Sequence, residues 1–95
     1  MQNKKSNSKE FLYAAEIVKK LNTTPSEEDQ LKLYGLYKQA IFGNNNQDKP
    51  FFLDIKGTKK WDSWYKNKNK SKYNCEIEYI KTVNLLIKKH GINKF

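Results

Sequence analysis

Apolar residues recur at helical spacing along most of the chain. Intervals of three and four residues place side chains on one face of a helix. This spacing predicts four helices. The first spans about Lys9 to Leu21 and the third about Thr58 to Asn67. The second ends near Phe42 and the fourth near His90, and their starts are marked by the cap residues described below. The first apolar face consists of Phe11, Ala14, Ala15, Val18 and Leu21. Because no segment shows the alternation of a strand, the pattern predicts an all-α fold, a small four-helix bundle.

Cap residues mark the ends of these helices. The second helix has two candidate N-caps, Thr24 and Ser26, and the pattern leaves both open. Ser71 is a candidate N-cap for the fourth helix. Gly91 follows its last turn, which is typical of a C-terminal stop.

A long connection, residues 43–56, joins the second and third helices. Its first half is rich in asparagine and glycine, whereas its second half contains four large apolar residues: Phe51, Phe52, Leu53 and Ile55. Long loops in small domains are usually functional or packed by their own side chains. We expect this one to be an ordered overhand connection whose apolar half packs onto the bundle.

Size and charge narrow the function classes. The chain has 95 residues and a formal net charge of +9, and all 19 of its basic residues are lysine. This favours a polyanionic partner, but the lack of arginine disfavours base-specific DNA readout.

The expected location is the cytoplasm, because the sequence has one cysteine, a polar N-terminus and no apolar run of about 18 residues. We predict a domain at 9–91, a polar extension at 1–8 and a tail at 92–95.

Candidate catalytic groups are few. His90 is the only histidine, and Cys75 lies in the apolar stripe of the fourth helix, as a small buried residue would. The sequence has no cluster of metal-ligand type and no glycine-rich phosphate loop. We predict a binding protein rather than an enzyme, with no catalytic residue, bound metal or cofactor.

Tyrosine and lysine are concentrated in the second helix. Tyr34 and Lys38 are four residues apart and therefore share a face, with Tyr37 beside them. Such a face is a plausible platform for a nucleotide. Gly35 within the helix indicates close approach of another chain segment or of a ligand.

The third helix contains Trp61 and Trp64, which follow a group of three lysines, Lys56, Lys59 and Lys60. Taken alone, this combination is a weak signal for phosphate binding at the start of a helix.

These motifs together closely resemble the acyl-CoA-binding protein family. The resemblance spans roughly residues 11 to 91, and its motifs occur in the family's order and spacing. They are Phe11-x-x-Ala-Ala-Glu-x-Val-Lys19, Leu-Tyr-Gly-Leu-Tyr-Lys-Gln-Ala at 33–40, Asp-Ile-Lys-Gly-Thr-Lys-Lys-Trp-Asp-Ser-Trp at 54–64, and Tyr79-Ile80-x-x-Val83.

The resemblance implies an up-down-down-up bundle that binds long-chain acyl-CoA without changing it, as a monomeric carrier that meets acyl-CoA-using enzymes transiently. Tyr34, Lys38 and Lys60 would hold the adenosine 3′-phosphate end. The implied head-group site comprises Lys19, Tyr34, Gly35, Leu36, Tyr37, Lys38, Lys56, Lys60 and Tyr79. The implied apolar groove comprises Phe11, Ala15, Val18 and Leu31.

Four positions depart from the family pattern. Phe51 stands where glycine is common after the loop proline, and Gln30 replaces a frequently apolar residue. Cys75 and His90 stand where alanine and tyrosine are usual. None of the four removes an implied phosphate ligand.

Two other functions stay open at this point. The lysine charge and aromatic residues would also suit a nucleic-acid or anionic-membrane binding protein. The groove of a bundle could instead hold a helix of a partner protein. The resemblance implies neither a specific nucleic acid nor stable membrane insertion.

Overall fold

The computed structural model describes residues 7–92. The helices are α1 (Lys9–Ile17), α2 (Glu27–Phe42), α3 (Ile55–Tyr65) and α4 (Lys72–His90), and a 3₁₀ turn, Val18–Lys20, follows α1. Within residues 7–92 no β-strand forms, and the only β-bridge pairs Leu21 with Ile92. The predicted all-α bundle is therefore confirmed. None of these helices is long and apolar enough to cross a membrane.

Every helix begins at a side chain that accepts a hydrogen bond from a backbone N–H three residues further on. The four caps are Ser8, Ser26, Asp54 and Ser71. Of the two candidates for α2, Ser26 is the cap, and its hydroxyl accepts from the Asp29 N–H at 3.1 Å. Gly91, with φ +74°, ends α4, as predicted.

The third helix begins earlier than predicted. It starts at Ile55 rather than Thr58, because the Asp54 carboxylate accepts a hydrogen bond from the Gly57 N–H at 2.9 Å. A cap gives a hydrogen-bond acceptor to one of the first backbone N–H groups of the helix, which have no partner within the helix. The helix also ends earlier, at Tyr65 rather than Asn67.

The first helix also ends before its predicted boundary. Its α-helical part stops at Ile17, and Leu21, the predicted last residue, has extended backbone with ψ 138°. This extended segment meets the other end of the chain, where the Asn22 N–H donates to the Gly91 carbonyl at 2.8 Å. After the 3₁₀ turn the chain therefore pairs with a distant segment instead of continuing the helix.

Both predicted terminal segments are only partly within the described residues. Asn7 Nδ2 donates to the Glu76 carboxylate at 2.6 Å, and Ser8 caps α1. Contacts with the bundle thus already exist at residues 7 and 8 of the predicted extension, and Ile92 of the predicted tail pairs with Leu21. The remainder of each segment, 1–6 and 93–95, lies outside the described residues.

The bundle is held together mainly by α2 and α4. α2 packs against both α3 and α4, and α1 packs against α4. The buried core consists of Phe11, Ala14, Leu33, Leu36, Ala40, Cys75, Tyr79, Val83 and Leu86. At the α2–α3 contact, Gly35 faces the Ser63 carbonyl so closely that a Cβ at this position would overlap it. Gly35 therefore permits close approach of a chain segment, one of its two predicted roles.

An opening remains between α1 and α2. Both helices lie entirely within the described residues, and every α-carbon of α1 is more than 8 Å from every α-carbon of α2. Side chains rather than backbone close the space between these helices. The resulting groove is the concave feature from which the candidate site is built.

The prediction that the apolar half of the α2–α3 loop packs onto the bundle is wrong. Phe51, Phe52, Leu53 and Ile55 are all exposed, by 66 to 75%. The first half of the loop is the anchored part, since the indole N–H of Trp64 donates to the Gly43 carbonyl and that of Trp61 to the Gln47 carbonyl, each at 2.8 Å.

Candidate ligand-binding groove

Three aromatic rings form the floor of the groove between α1 and α2. Phe11 from α1 stacks on Tyr37 from α2, with ring centroids 5.6 Å apart. Tyr79 from α4 meets the edge of Phe11 at 5.0 Å. Such arrangements are favourable beyond the area that they bury. The floor is therefore apolar and rigid, and its side chains come from three different helices.

An apolar cavity of about 420 Å³ lies above this floor. It is bounded by the 3₁₀ turn, by the loop that leads into α2 and by one face of α2. Its lining is Val18, Lys19, Leu21, Thr23, Thr24, Pro25, Gln30, Leu33, Tyr34, Tyr37 and Tyr79. We call it the apolar cavity.

A second cavity, of about 470 Å³, lies between the N-terminal halves of α2 and α3. Three lysines from α3 face it. Its lining is Glu27, Gln30, Leu31, Tyr34, Lys56, Lys59 and Lys60. We call it the basic cavity. Because Gln30 and Tyr34 line both cavities, the two form neighbouring parts of one surface, with the Tyr34 ring between them.

Lysine side chains flank the Tyr34 ring. The Lys60 Nζ lies 5.0 Å from the ring centroid and the Lys38 Nζ 5.9 Å. Cations at these distances are attracted to an aromatic face. Lys38 also lies over two further rings, Phe42 at 4.5 Å and Trp64 at 4.9 Å. The result is an aromatic surface with ammonium groups over its rings, which offers a nucleotide both aromatic contact and cations for its phosphates.

Most of the positive charge in the basic cavity is uncompensated. Lys59 forms an ion pair with Glu27, with an N–O distance of 3.0 Å. In the part of the chain that the structure describes, Lys38, Lys56 and Lys60 have no acidic partner within ion-pair distance. These three ammonium groups are therefore available to an anionic ligand.

Burial keeps two titratable groups of the core neutral. It raises the pKa of Tyr79 to about 12, and the neighbouring Tyr37 adds to this effect. Burial likewise raises the pKa of the Cys75 thiol, which has no exposed surface. A neutral, buried thiol is a poor nucleophile. Both groups thus act here as packing residues, and Tyr79 also faces the apolar cavity.

Comparisons with known proteins agree with this geometry. A family model described as "Acyl CoA binding protein" matches residues 8–83. An acyl-CoA-binding protein homolog of Drosophila melanogaster is 46% identical over 84 residues, which are 88% of this chain and 98% of that protein. The chain belongs to the acyl-CoA-binding protein family. Homolog 1 of Caenorhabditis elegans is 44% identical over 78 residues, 82% of this chain and 91% of that protein.

Solved acyl-CoA-binding protein structures have the same fold. The crystal structure of Oryza sativa acyl-CoA-binding protein 2 aligns with a TM-score of 0.81 at 41% identity, covering 84% of this chain and 87% of that chain. The solution structure of the yeast acyl coenzyme A binding protein aligns at 0.71, also at 41% identity, covering 87% and 96%. The family bundle that the sequence motifs implied is therefore confirmed.

Most residues that the family resemblance singled out line the two cavities. These are Val18, Lys19, Leu31, Tyr34, Tyr37, Lys56, Lys60 and Tyr79. Lys38 lies next to them, in a smaller depression that it shares with Phe42 and Trp64. The structure thus brings these residues together from the 3₁₀ turn and three helices.

Four of the singled-out residues are placed differently. Gly35 and Leu36 are buried in the helix packing of α2, and neither lines the apolar cavity or the basic cavity. Phe11 is fully buried as one ring of the floor, and half-buried Ala15 packs against the core. Each residue turns the helix by about 100°, so Gly35 is about 100° and Leu36 about 200° from Tyr34. These two residues therefore face inward when Tyr34 faces the groove.

The structure adds residues to the groove that the sequence did not single out as part of a site. Among them, Thr23, Thr24 and Pro25 form one wall of the apolar cavity. In the sequence they separate two helices, and Thr24 is also a candidate N-cap. They follow Leu21, which pairs with Ile92, a contact between distant parts of the chain that local patterns do not reveal.

Proposed function

We propose that this protein binds long-chain fatty acyl-CoA esters without covalent change and serves as a carrier and pool of them in the cytoplasm. The observation that supports this best is the Tyr34 ring, flanked by Lys38 and Lys60, between an apolar and a basic cavity. Acyl-CoA has the matching composition, because it joins an anionic nucleotide to a long apolar chain.

The head group would bind at Tyr34. Its ring offers an aromatic contact surface, and Lys38 and Lys60, whose ammonium groups lie over the ring, would pair with the 3′-phosphate. Lys56 in the basic cavity and Lys19 at the rim of the apolar cavity would contribute further positive charge. Charged hydrogen bonds are worth about 1.5–3 kcal/mol each, so these contacts would select an anionic ester over an uncharged lipid.

The acyl chain would bind along the apolar lining. Burial of one methylene contributes about 0.8 kcal/mol, so a dozen would contribute about 10 kcal/mol before ordering costs. This is close to the ~12 kcal/mol of nanomolar binding. The chain would therefore provide most of the affinity, and the Val18 and Leu31 side chains belong to the surface that would receive it.

The wider role follows from a site of this kind. The protein would bind the ester without transforming it, and would act as a monomer that shields the ester and delivers it to acyl-CoA-using enzymes. A lysine-rich surface protein for nucleic acids would need no apolar cavity beside its aromatic ring. The groove therefore favours acyl-CoA over a nucleic acid as the principal ligand.

Thermal unfolding with and without ligand tests this proposal. At a free ligand concentration of about 100 times Kd, selective binding stabilises the folded state by about 2.7 kcal/mol. For a domain of this size this corresponds to a rise in Tm of roughly 10–20 °C. Free CoA, which lacks the chain, should give a smaller rise. An unchanged Tm at saturating palmitoyl-CoA would contradict the proposal.

A further inference from the structure

A well-defined β-turn projects from the bundle just before α3. The Asp54 N–H donates to the Phe51 carbonyl at 2.8 Å, which places Phe52 and Leu53 at the two central positions. Asp54 is also the N-cap of α3, and its own carbonyl accepts from the Thr58 N–H at 2.9 Å. The turn is therefore held by the helix that follows it.

The side chains of this turn are apolar and exposed. Phe52 is 75% exposed, and Phe51, Leu53 and Ile55 are each 66% exposed. We call these four residues the apolar turn. Within it, Phe51 and Phe52 pack against each other, with ring centroids 4.9 Å apart. An apolar patch on the surface of a small protein usually marks an interaction site.

Lysine outnumbers aspartate in the sequence on either side of the apolar turn. Between residues 48 and 60 the chain has four lysines and two aspartates, and the whole chain carries +9. Lys49 and Lys59 form ion pairs with Asp62 and Glu27, whereas Lys56, directly after the turn, and Lys60 have no ion-pair partner among residues 7–92. The surface that complements this patch is both anionic and able to accept large apolar side chains.

We infer that the apolar turn docks the protein on anionic phospholipid bilayers. A projecting turn with its apolar side chains outward suits a soft interface, which closes around it, better than a preformed protein pocket. Phe and Leu would enter the boundary between head groups and acyl chains, and the lysines would remain with the lipid phosphates. The protein would lie on the membrane rather than span it.

The same docking orients the groove. Pro50, directly before the turn, lines a depression that contains Tyr34 and Lys60. Lys56, directly after the turn, lines the basic cavity with the same two residues. A protein held by the apolar turn therefore keeps the edge of its groove near the lipid surface.

Co-sedimentation with vesicles, in the absence of any acyl-CoA, tests this inference separately from ligand binding. The wild type should bind vesicles that contain phosphatidylserine more strongly than vesicles of phosphatidylcholine alone, and added salt should weaken the difference. The double variant Phe51→Ser/Phe52→Ser should bind at least about tenfold more weakly, since one buried Phe contributes enough for that. Both residues are exposed, so the fold should persist, which circular dichroism checks.

Leu85→Ser is the matched control, because Leu85 on α4 is also apolar and 66% exposed. It should bind vesicles like the wild type, and the double variant should keep its affinity for palmitoyl-CoA. Two results would overturn the inference: no binding of the wild type to anionic vesicles, or equal binding of the wild type and the double variant.

Discussion

The Lys60 ammonium lies 5.0 Å from the centre of the Tyr34 ring, although the two residues belong to different helices. α2 supplies the ring and α3 the charge, and the two meet where the apolar and basic cavities adjoin. This contact joins an aromatic surface to a cation that has no ion-pair partner among the described residues. It is therefore the part of the groove best suited to a nucleotide phosphate.

Replacement of this cation should weaken acyl-CoA binding. Loss of a charged hydrogen bond of about 1.5–3 kcal/mol corresponds to a roughly 10- to 150-fold higher Kd for Lys60→Gln. Lys81→Gln removes the same charge from an exposed position on α4 that lines neither cavity. Isothermal titration should show a normal Kd for this control. Equal weakening in both variants would mean that only the overall charge matters.

Gly35→Ala should destabilise the fold. A Cβ at this position would overlap the Ser63 carbonyl, so α2 and α3 would have to move apart. We expect a loss of about 1–3 kcal/mol in the free energy of unfolding, despite the better helix propensity of alanine. Urea denaturation measures it. Asn84→Ala, at an exposed position of α4, should not lower stability; unchanged stability of Gly35→Ala would contradict the described helix contact.

Tyr79 should make stability fall at alkaline pH. Its pKa is raised from 10 to about 12 in the folded protein, so its contribution is full below pH 10 and is lost as the pH rises through about 12. By linkage the loss reaches about 1.4 kcal/mol near pH 11. Urea unfolding at neutral pH and at about pH 11 measures the loss in the free energy of unfolding. For Tyr79→Phe this loss should be smaller than for the wild type by about 1.4 kcal/mol.

The exposed Tyr73 of the same helix supplies the control, because Tyr73→Phe should follow the wild type at both pH values. If Tyr79→Phe lost as much stability between the two pH values as the wild type, the neutral Tyr79 phenol would not be buried as described.

Local sequence signals predict the helices, and the family resemblance implies most of the groove residues. The tyrosine and lysine spacing of α2 follows from helix geometry alone, and Tyr34 and Lys38 do share a face. Ser71 and Gly91 delimit α4 as predicted. Asp54, which caps α3, lies within an apolar segment of the sequence, and the predicted start of α3 is three residues too late.

The remaining features depend on contacts between distant segments. Whether Gly35 admits a ligand or a helix is decided by the position of Ser63, 28 residues later in the printed sequence. Leu21, the predicted last residue of the first helix, has extended backbone and pairs with the distant Ile92. The exposure of Phe52 contradicts the usual burial of large apolar residues, and a membrane-docking role would account for it.

The most direct test of the central claim compares palmitoyl-CoA with free palmitate by isothermal titration. The two ligands have the same acyl chain, so the difference between their affinities measures the head-group site around Tyr34 and Lys60. We predict that palmitate binds at least about 100-fold more weakly, because it lacks the phosphates that the lysines would pair with. Equal affinities would contradict the assignment of this groove to acyl-CoA.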